Sequence, residues 1–532
     1  MKTYWIDNSK EEKKYETLKQ DTETDICIIG GGLTGITTAY YLNKYKIKNI
    51  ILEKGRICQK TSGHSTAKIT SQHGLFYKYL IDSQGKEFAQ KYYEANQKAI
   101  SEIKRIIQEE NIECDLEEKS SYVFTQSIQD VQKIKDEVEA VKQIGGKANF
   151  IEGADIEINK ISRKNDEIEV FKNKEEEENT EIQKLKKILP IKALVEIEFP
   201  NQAQFDPYKY ATALAKICNE RGTKIYENSK VIGVHPLNKG YEITLENGSK
   251  VKAKYIVIAT KYPFIDIPGY HFLKMYQVTS NVIVVDPKEE ADFGMYINSE
   301  EPAISLRTIK DGEKRLVIVA GFNHKTGAKI DLSNSYYYLE KIAKSLYPNC
   351  EVKYKWNTED SIPLDKIPYI GEFSKEMPNV YVGTGYKKWG ITSSNIAARI
   401  IVDKIMGKEN EYEELFIATR LEPIKNIKEL GNMIKESVNS LVINKLKTPK
   451  ETIEQVGKDE GKIVEIDGEK VGVYKNKEGE IYKVRPVCQH LGCELSWNNL
   501  DKTWDCPCHG SRYDYKGNLI YGPSVKNLDI IQ

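Results

Sequence analysis

Near its start, the chain runs from a short apolar segment directly into glycines, and residues 26–35 are Ile26-Cys27-Ile28-Ile29-Gly30-Gly31-Gly32-Leu33-Thr34-Gly35. The apolar segment predicts a buried strand, and the apolar positions at helical spacing that follow predict a helix. A second apolar run ends at Glu53 and completes a strand–helix–strand unit. Residues 30–35 satisfy the pattern G-x-G-x-x-G, and this strand–helix context is the one in which the pattern binds a dinucleotide.

The spacing of the glycines has a physical reason. The first permits a tight turn, the second lets a pyrophosphate approach the backbone, and the third lets the helix pack on the strand. The start of the helix offers unpaired N–H groups to the phosphates. Glu53 stands at the end of the second strand, where its carboxylate can accept hydrogen bonds from the adenosine ribose and disfavours the 2′-phosphate of NADP. The alternative is a glycine turn that binds no ligand.

The composition is that of a globular protein. In 532 residues, 79 Lys and Arg balance 79 Asp and Glu, so there is no basic field that would hold nucleic acid or an anionic membrane. Apolar runs are shorter than the roughly 18 residues of a membrane helix, and the charges at residues 10–14 leave no room for a signal peptide. We therefore expect a cytoplasmic protein without a membrane span. The first ordered element should begin near Asp25, where the first apolar segment starts.

The cysteines are distributed unevenly. Five of the nine are scattered singly, whereas Cys488, Cys493, Cys506 and Cys508 lie close together near the C-terminus. Three of them belong to the segments Cys488-Gln489-His490 and Cys506-Pro507-Cys508-His509, which are separated by positions 491–505. This order, C-x-H followed by C-x-x-H, predicts a Rieske [2Fe–2S] cluster ligated by Cys488, His490, Cys506 and His509. Tetrahedral zinc is the alternative, although zinc fingers usually place both cysteines before both histidines.

Further segments favour FAD over NAD at the glycine turn. A hydroxyl-rich loop covers residues 61–68, a late strand ends at Ala259 and Thr260, and residues 383–392 are Gly383-Thr384-Gly385-Tyr386-Lys387-Lys388-Trp389-Gly390-Ile391-Thr392. Together, these segments resemble the glycine/D-amino-acid oxidase family of FAD proteins over roughly residues 24–410. The resemblance implies that residues near 383–392 meet the flavin from the start of a helix.

The resemblance also implies the domain organisation. We expect an α/β FAD-binding Rossmann-like domain with an interleaved α+β substrate domain that contains a mixed sheet, and a small all-β C-terminal Rieske domain. The FAD-binding parts are expected at about 24–75, 196–265 and 355–410, and the substrate domain at about 76–195 and 266–354. A helical linker is expected over 411–449 and the Rieske domain over 450–532. Residues 76–145 should be mainly helical, and the charge-dense stretch 160–187 an exposed insertion.

The same resemblance implies a set of FAD contacts. The expected residues are Gly30, Gly31, Gly32, Leu33, Thr34, Gly35, Glu53, Lys54, Ser62, Ser65, Thr66, Ala67, Val231, Ala259, Thr260, Gly385, Trp389, Gly390, Ile391 and Thr392. A covalent link from His64 to the flavin is conceivable, but an ordinary polar loop histidine is the simpler interpretation. The candidates for catalytic residues are Arg307, which could pair with a substrate carboxylate, and Tyr386, Lys387 and Trp389 beside the flavin. The alternatives are a solvated surface arginine at Arg307 and simple packing for the other three.

The C-terminal segments resemble the Rieske box of respiratory cytochrome bc complexes, with Gln489 in place of the usual threonine. This resemblance implies a disulfide between Cys493 and Cys508 that braces the two cluster loops, although two free thiols remain the alternative in a cytosolic protein. It also implies that the hydroxyls of Ser511 and Tyr513 donate to cluster and cysteine sulfurs, and that Gly522-Pro523 covers the cluster. We expect no membrane anchor, and this expectation argues against a place in a respiratory complex.

The whole layout resembles bacterial FAD-dependent oxidoreductases with a fused Rieske domain. We expect a dehydrogenase acting on CH–NH or CH–NH2 groups of a small amine or amino acid, with FAD taking two electrons together and the cluster passing them singly to an external acceptor, such as an electron-transfer protein. Two alternatives remain open. In a reductase, electrons would flow from a donor through the cluster to FAD and substrate. In a redox sensor or electron relay, the flavin pocket would be closed to substrates.

Overall fold

The computed structural model describes residues 2–9, 13–153, 193–328, 330, 332–420 and 451–531. We call residues 2–420 the N-terminal part and residues 451–531 the C-terminal part. The charge-dense stretch expected at 160–187 and most of the linker expected at 411–449 lie outside the described residues. Among the described residues, no helix combines the length and the apolar character that crossing a membrane would require.

The first sheet of the N-terminal part has eight strands around a parallel centre. Its strands, in spatial order, are Val231–Pro236, Tyr241–Leu245, Lys250–Ile258, Thr22–Ile29, Asn49–Leu52 and Lys224–Tyr226, with Val380–Thr384 also pairing with Lys250–Ile258 and Tyr369–Glu372 pairing with Val380–Thr384. In Lys250–Ile258, the residues beside the antiparallel neighbour are alternately exposed and buried, whereas Val257 and Ile258, between parallel neighbours, are both buried. This change is expected where a sheet becomes covered on both faces.

The second sheet is mixed and also has eight strands. In spatial order they are Glu351–Pro363, Met275–Asp286, Lys314–Lys325, Ile304–Asp311, Met295–Asn298, Ser121–Thr125, Val195–Phe199 and Asn149–Glu152. Met295–Asn298 pairs in parallel with Ser121–Thr125, and the other neighbours are antiparallel. Residues 76–145 are mainly helical, as expected, but they also contain the strand Ser121–Thr125. Its parallel partner is distant in sequence, so no local pattern indicates this pairing.

Nine α-helices are present among the described residues. They are Tyr4–Asp7, Leu33–Lys44, Thr61–His64, Tyr77–Gln84, Lys86–Glu109, Ile128–Gln143, Pro207–Glu220, Ser335–Leu346 and Gly390–Ile405. Helix Gly390–Ile405 packs against Leu33–Lys44, although the two are far apart in sequence. Short 3-10 turns cover His271–Leu273, Glu413–Phe416 and Ile453–Gln455, and a three-stranded sheet joins Lys68–Ile69, Ala203–Gln204 and Glu117–Glu118.

Ordered structure begins earlier than the sequence predicts. Helix Tyr4–Asp7 lies well before Asp25, and Tyr4 and Trp5 are buried in the core. The Trp5 indole N–H donates to the Ser65 carbonyl at 2.8 Å, and the Thr3 hydroxyl donates to the Gly63 carbonyl at 2.7 Å. The amino terminus therefore packs against the hydroxyl-rich loop. No local sequence pattern indicates this long-range contact.

The C-terminal part is built from two small antiparallel sheets, as the all-β expectation required. One contains Glu460–Ile466, Glu469–Lys475 and Ile481–Val484; the other contains Ser496–Asn498, Thr503–Asp505, Arg512–Asp514 and Leu519–Tyr521. A core that includes Leu495, Trp504 and Tyr513 lies beside the four clustered cysteines. These cysteines lie in the loops that precede Ser496–Asn498 and follow Thr503–Asp505.

Candidate active site and metal centre

The glycine turn connects strand Thr22–Ile29 to helix Leu33–Lys44 in the predicted place. Gly30 has φ 114°, in the left-handed region, so a side chain there would be strained. A Cβ atom on Gly35 would lie 2.0 Å from the Gly30 carbonyl oxygen, so only glycine allows this approach of helix and strand. Glu53 follows the next strand, and its carboxylate accepts from the N–H groups of Gly31 at 2.8 Å and Gly55 at 3.0 Å.

A long cavity runs from the glycine turn to the face of the second sheet. All the predicted FAD-contact residues line it except Gly31, Gly35, Ala67 and Thr392. They come from separate segments of the first sheet, its loops and the start of helix Gly390–Ile405. The wall also contains Lys54, where burial and the nearby cation of Lys60 lower the pKa of the amine to about 8. The arrangement suits an elongated anionic ligand, because the turn offers backbone N–H groups and the wall offers lysines.

The far end of the cavity is formed by the second sheet. Ser280, Val282, Asn323 and Asp360 line it, together with Lys68, the last residue of the hydroxyl-rich loop. The Lys68 ammonium donates to the Tyr296 carbonyl at 3.0 Å and to the Ser305 hydroxyl at 2.6 Å. Burial, with the Arg307 cation nearby, lowers the pKa of Lys68 to about 7. Sequence analysis did not single out Lys68, although it ends the hydroxyl-rich loop, or Asp360, which belongs to no motif.

The candidate catalytic residues fall in two places. Tyr386, Lys387 and Trp389 line the cavity, and the Tyr386 hydroxyl lies 3.0 Å from that of Thr34. Burial and the cation of Lys366 lower the pKa of Lys387 to about 7. Arg307 does not line the cavity: its guanidinium is buried and donates to the carbonyls of Ala67 and Phe205. This placement corrects the substrate role considered for Arg307, because both terminal nitrogens of its guanidinium donate to backbone carbonyls and the side chain does not line the cavity.

His64 also lies outside this cavity. Its Nδ1 is 2.9 Å from the Asn357 carbonyl oxygen, and the residue lines a separate pocket. The alternative of a covalent flavin link through His64 therefore has no support in the geometry. His73 is buried and stacks on Trp389, with ring centroids 4.7 Å apart.

The four predicted metal ligands converge at one end of the C-terminal part. Cys488, Cys506 and His509 are buried, and the ring centroids of His490 and His509 are 5.0 Å apart. The Nδ1 atoms of both histidines are buried without a hydrogen-bond partner among the described residues. Two thiols and two unsatisfied imidazole nitrogens are the donor set of a Rieske cluster, so these residues fit that group.

The remaining two cysteines brace the loops. Cys493 and Cys508 form a disulfide with an S–S distance of 2.07 Å, the pairing that the resemblance implied. Their sulfurs and that of Cys506 lie within 4.8 Å of one another, but a disulfide leaves Cys493 and Cys508 no thiolate to offer a metal. The Tyr513 hydroxyl lies 3.5 Å from the Cys488 sulfur, and the Ser511 hydroxyl accepts from the Ser524 N–H at 3.1 Å.

The cavity and the metal centre adjoin. Leu519, Tyr521, Gly522, Pro523, Ser524 and Val525 of the C-terminal part line the same cavity as the glycine turn. The Gln277 side-chain amide, on the second sheet, donates to the Gly522 carbonyl at 3.1 Å. The segment expected to cover the cluster therefore also forms a wall of the cavity.

A buried ion cluster fastens the two parts together. The Arg512 guanidinium, with a side chain only 2% exposed, contacts Glu359 at 2.5 Å, Asp501 at 2.7 Å and Asp505 at 3.0 Å. Glu359 belongs to the N-terminal part, where the Lys261 ammonium lies 3.6 Å from it. Burial opposes ionisation of Glu359, but the cations of Lys261 and Arg512 prevail and hold its pKa at about 2. The Glu359 carboxylate is therefore charged at neutral pH, opposite its two cations.

Comparison with protein families agrees with this arrangement. The model of the family described as FAD dependent oxidoreductase matches residues 25–404, and the model of the Rieske [2Fe-2S] domain matches residues 448–532. Over 527 residues, 99% of this chain and 96% of the other, the sequence is 34% identical to YhfW of Bacillus subtilis (strain 168), which is named as a Rieske 2Fe-2S iron-sulfur protein.

Solved structures share the fold of the N-terminal part. A glycine oxidase from Geobacillus kaustophilus aligns with a TM-score of 0.59 and 17% identity over 75% of this chain and 100% of its own. An L-proline dehydrogenase from P. horikoshii aligns with a TM-score of 0.58 and 17% identity over 76% of this chain and 98% of its own. At such identities, the likeness is one of fold.

Proposed function

The chain belongs to the FAD dependent oxidoreductase family and carries a Rieske [2Fe-2S] domain, and from this premise we propose that it is a dehydrogenase of small amines or amino acids. It binds FAD and one [2Fe–2S] cluster. In the proposed reaction, a CH–NH or CH–NH2 group of the substrate is oxidised, and the electrons leave singly for an external acceptor. The bound flavin supplies two-electron chemistry and the cluster one-electron chemistry.

We assign the flavin to the long cavity. The glycine turn and the start of helix Leu33–Lys44 would hold the pyrophosphate, and Glu53 would accept from the ribose. Trp389, Gly390 and Ile391 would meet the rest of the cofactor from the start of helix Gly390–Ile405. These roles are supported by the joint presence of the residues on one cavity wall.

We assign the cluster to Cys488, His490, Cys506 and His509. Support comes from the unsatisfied Nδ1 atoms of both histidines, since a buried nitrogen without a partner is costly unless it binds a metal. The disulfide would hold the two ligand loops together, and the Tyr513 hydroxyl near the Cys488 sulfur would stabilise the reduced form.

The observation that carries the proposal is the shared wall of the two sites. Residues of the C-terminal part, including Pro523, line the cavity assigned to FAD, while the loops before Ser496–Asn498 and after Thr503–Asp505 carry the metal ligands. The ion cluster around Arg512 fastens this arrangement. Electrons would therefore pass within one chain, without a swing of the C-terminal part.

The substrate class rests on the far end of the cavity. A lysine ammonium at Lys68 or Lys387 could receive a carboxylate, and the carboxylate of Asp360 could receive an amine. The structures with the same fold are named as a glycine oxidase and an L-proline dehydrogenase, and both names refer to amino acids. The charged side chains that line this end of the cavity, beside the assigned flavin site, favour catalysis over a closed redox relay.

An anaerobic substrate screen tests the proposal. Purified holoprotein is mixed with amines and amino acids, and the absorbance of flavin and cluster is followed together. We expect an active compound to bleach the flavin and then reduce the cluster. Flavin bleaching that never leads to cluster reduction would refute internal transfer, and turnover of an imine only with reduced ferredoxin as donor would establish the reverse direction.

A further inference from the structure

We propose that Asp266, in the N-terminal part, is a positioning residue for the cluster ligand His490. The side chain of one part would thereby fix a ligand in the other and lower the reduction potential of the cluster. The inference rests on the ligand set proposed above, and it adds a role for a residue that lies in no cofactor motif.

The contact is direct and sheltered. The His490 Nε2 atom lies 2.7 Å from the Asp266 carboxylate, and the two side chains are 4% and 30% exposed. Asp266 follows strand Lys250–Ile258 in a segment stabilised by a hydrogen bond from the Tyr270 N–H to the Asp266 carbonyl at 2.7 Å. The backbone around the carboxylate is therefore defined.

The two nitrogens of the His490 ring face different surroundings. Nδ1 is buried and has no hydrogen-bond partner among the described residues, as expected for an atom that binds iron, while Nε2 meets the carboxylate. A ring that binds metal through Nδ1 carries its proton on Nε2 and donates it to the acceptor there. A carboxylate in this position orients the ring and raises the basicity of the ligand.

His509 provides an internal comparison. Its Nδ1 is also buried without a partner, but within the described part of the chain it forms no ion pair. Phe272, in the same segment as Asp266, packs edge-on against both rings, with centroids 6.2 Å from His490 and 5.7 Å from His509. Packing is thus shared by the two histidines, whereas the carboxylate contacts one, so the two ligands are predicted to be electronically unequal.

The direction of the effect follows from charge. Oxidation makes the cluster more positive, and a nearby carboxylate stabilises that state more than the reduced one. The Asp266 side chain is only partly exposed, so water and salt do not completely screen the interaction of its carboxylate with the cluster. Removing its charge should shift the reduction potential of the cluster to a more positive value.

The test compares Asp266→Asn with Asp529→Asn in the full-length holoprotein, without substrate. The Asp529 carboxylate accepts from the Gln489 side chain at 3.4 Å, so it lies beside the residue that precedes His490. Midpoint potentials are measured by redox titration followed by EPR at one fixed pH, with iron content as the measure of loading. We expect D266N to raise the potential and alter the EPR line shape, and D529N to change both much less.

The possible results separate cleanly. A loaded D266N protein with the wild-type potential and line shape would overturn the proposal, and equal shifts in D266N and D529N would overturn it in favour of a general charge effect. If the D266N protein does not take up the cluster, pulsed EPR of the wild-type protein tests the proposal instead. The Nε2 atoms of His490 and His509 should then show distinct hyperfine couplings, and equal couplings would overturn the proposal. Neither measurement requires substrate, so failure of the Asp266 proposal can be distinguished from failure of the dehydrogenase proposal.

Discussion

The flavin cavity is built from segments that are far apart in the sequence, whereas the metal centre is built from two neighbouring loops. The cavity collects residues from Ile29 to Val525 and relies on backbone turns that only a complete fold can bring together. The metal centre takes all its ligands from two loops between Cys488 and His509, and buries them in a small β structure. A distributed site tolerates loss of a single side chain but not of its backbone geometry, while a local site depends on each ligand.

The largest effect is expected from removing a cluster ligand. Cys506→Ser should abolish the EPR signal and iron content of the C-terminal part, because a hydroxyl is a poor ligand for the iron of such a cluster. FAD content should remain that of the wild-type protein, since the glycine turn is built elsewhere. Cys350→Ser, at a half-buried cysteine outside the centre, is the control and should keep both cofactors. Iron retention by C506S would show that the assigned ligand set is wrong.

A substitution in the glycine turn should impair FAD binding and leave the cluster in place. Gly35→Ala places a methyl group 2.0 Å from the Gly30 carbonyl, so the turn must open. We expect G35A to retain less than roughly a tenth of its FAD, a loss of at least about 1.4 kcal/mol in binding. In Gly55→Ala the new methyl has its nearest neighbour at 4.0 Å, and FAD should remain bound. Absorbance and iron analysis of both variants measure the difference; a G35A protein with full FAD would contradict the role of the turn.

The junction between the two regions is the next target. Arg512→Met leaves Asp501 and Asp505 buried without the Arg512 cation and leaves Glu359 with Lys261 alone, which should cost about 3–5 kcal/mol in the free energy of unfolding. Arg485→Met removes an exposed pair with Glu469, with side chains 51% and 63% exposed, and should cost less than about 1 kcal/mol. Denaturant titration followed by cluster absorbance compares them. Equal stabilities would mean that the ion cluster does not hold the parts together.

The smallest effect concerns the substrate end of the cavity. Lys68→Met removes one charged donor, worth about 1.5–3 kcal/mol, so KM for an amino acid should rise at least about tenfold. Plain amines should be affected little, which serves as the control. Because burial lowers the pKa of Lys68 to about 7, its ammonium form is lost as pH rises above that value. The affinity of the wild-type enzyme for amino acids should therefore fall as the pH rises through this value. In K68M this pH dependence should be weaker. A K68M protein with the pH dependence of the wild type would assign Lys68 a purely structural role.

The sequence allowed prediction of features whose geometry is local. The glycine turn, Glu53 and the Cys and His pairs each follow from short spacings that fix the backbone or the ligand order. The small all-β end and the mixed second sheet also agree with expectation.

Features created by long-range packing were not predictable in this way. Lys68 reaches the cavity because it is held by Tyr296 and Ser305, which are far from it in sequence. Arg307 was a candidate for substrate binding until the fold directed it to backbone carbonyls. Asp266 has no motif around it, and its contact with His490 exists only because two distant regions of the chain meet.

The rate of electron transfer from flavin to cluster shows whether the two cofactors exchange electrons within one chain. Anaerobic holoprotein is reduced at the flavin by a short light pulse with a photochemical donor, and flavin reoxidation is followed together with cluster reduction at several protein concentrations. We expect the two signals to change at one rate, and this rate to be independent of protein concentration because both cofactors share a chain. A rate proportional to protein concentration, or a reduced flavin beside an oxidised cluster, would contradict it.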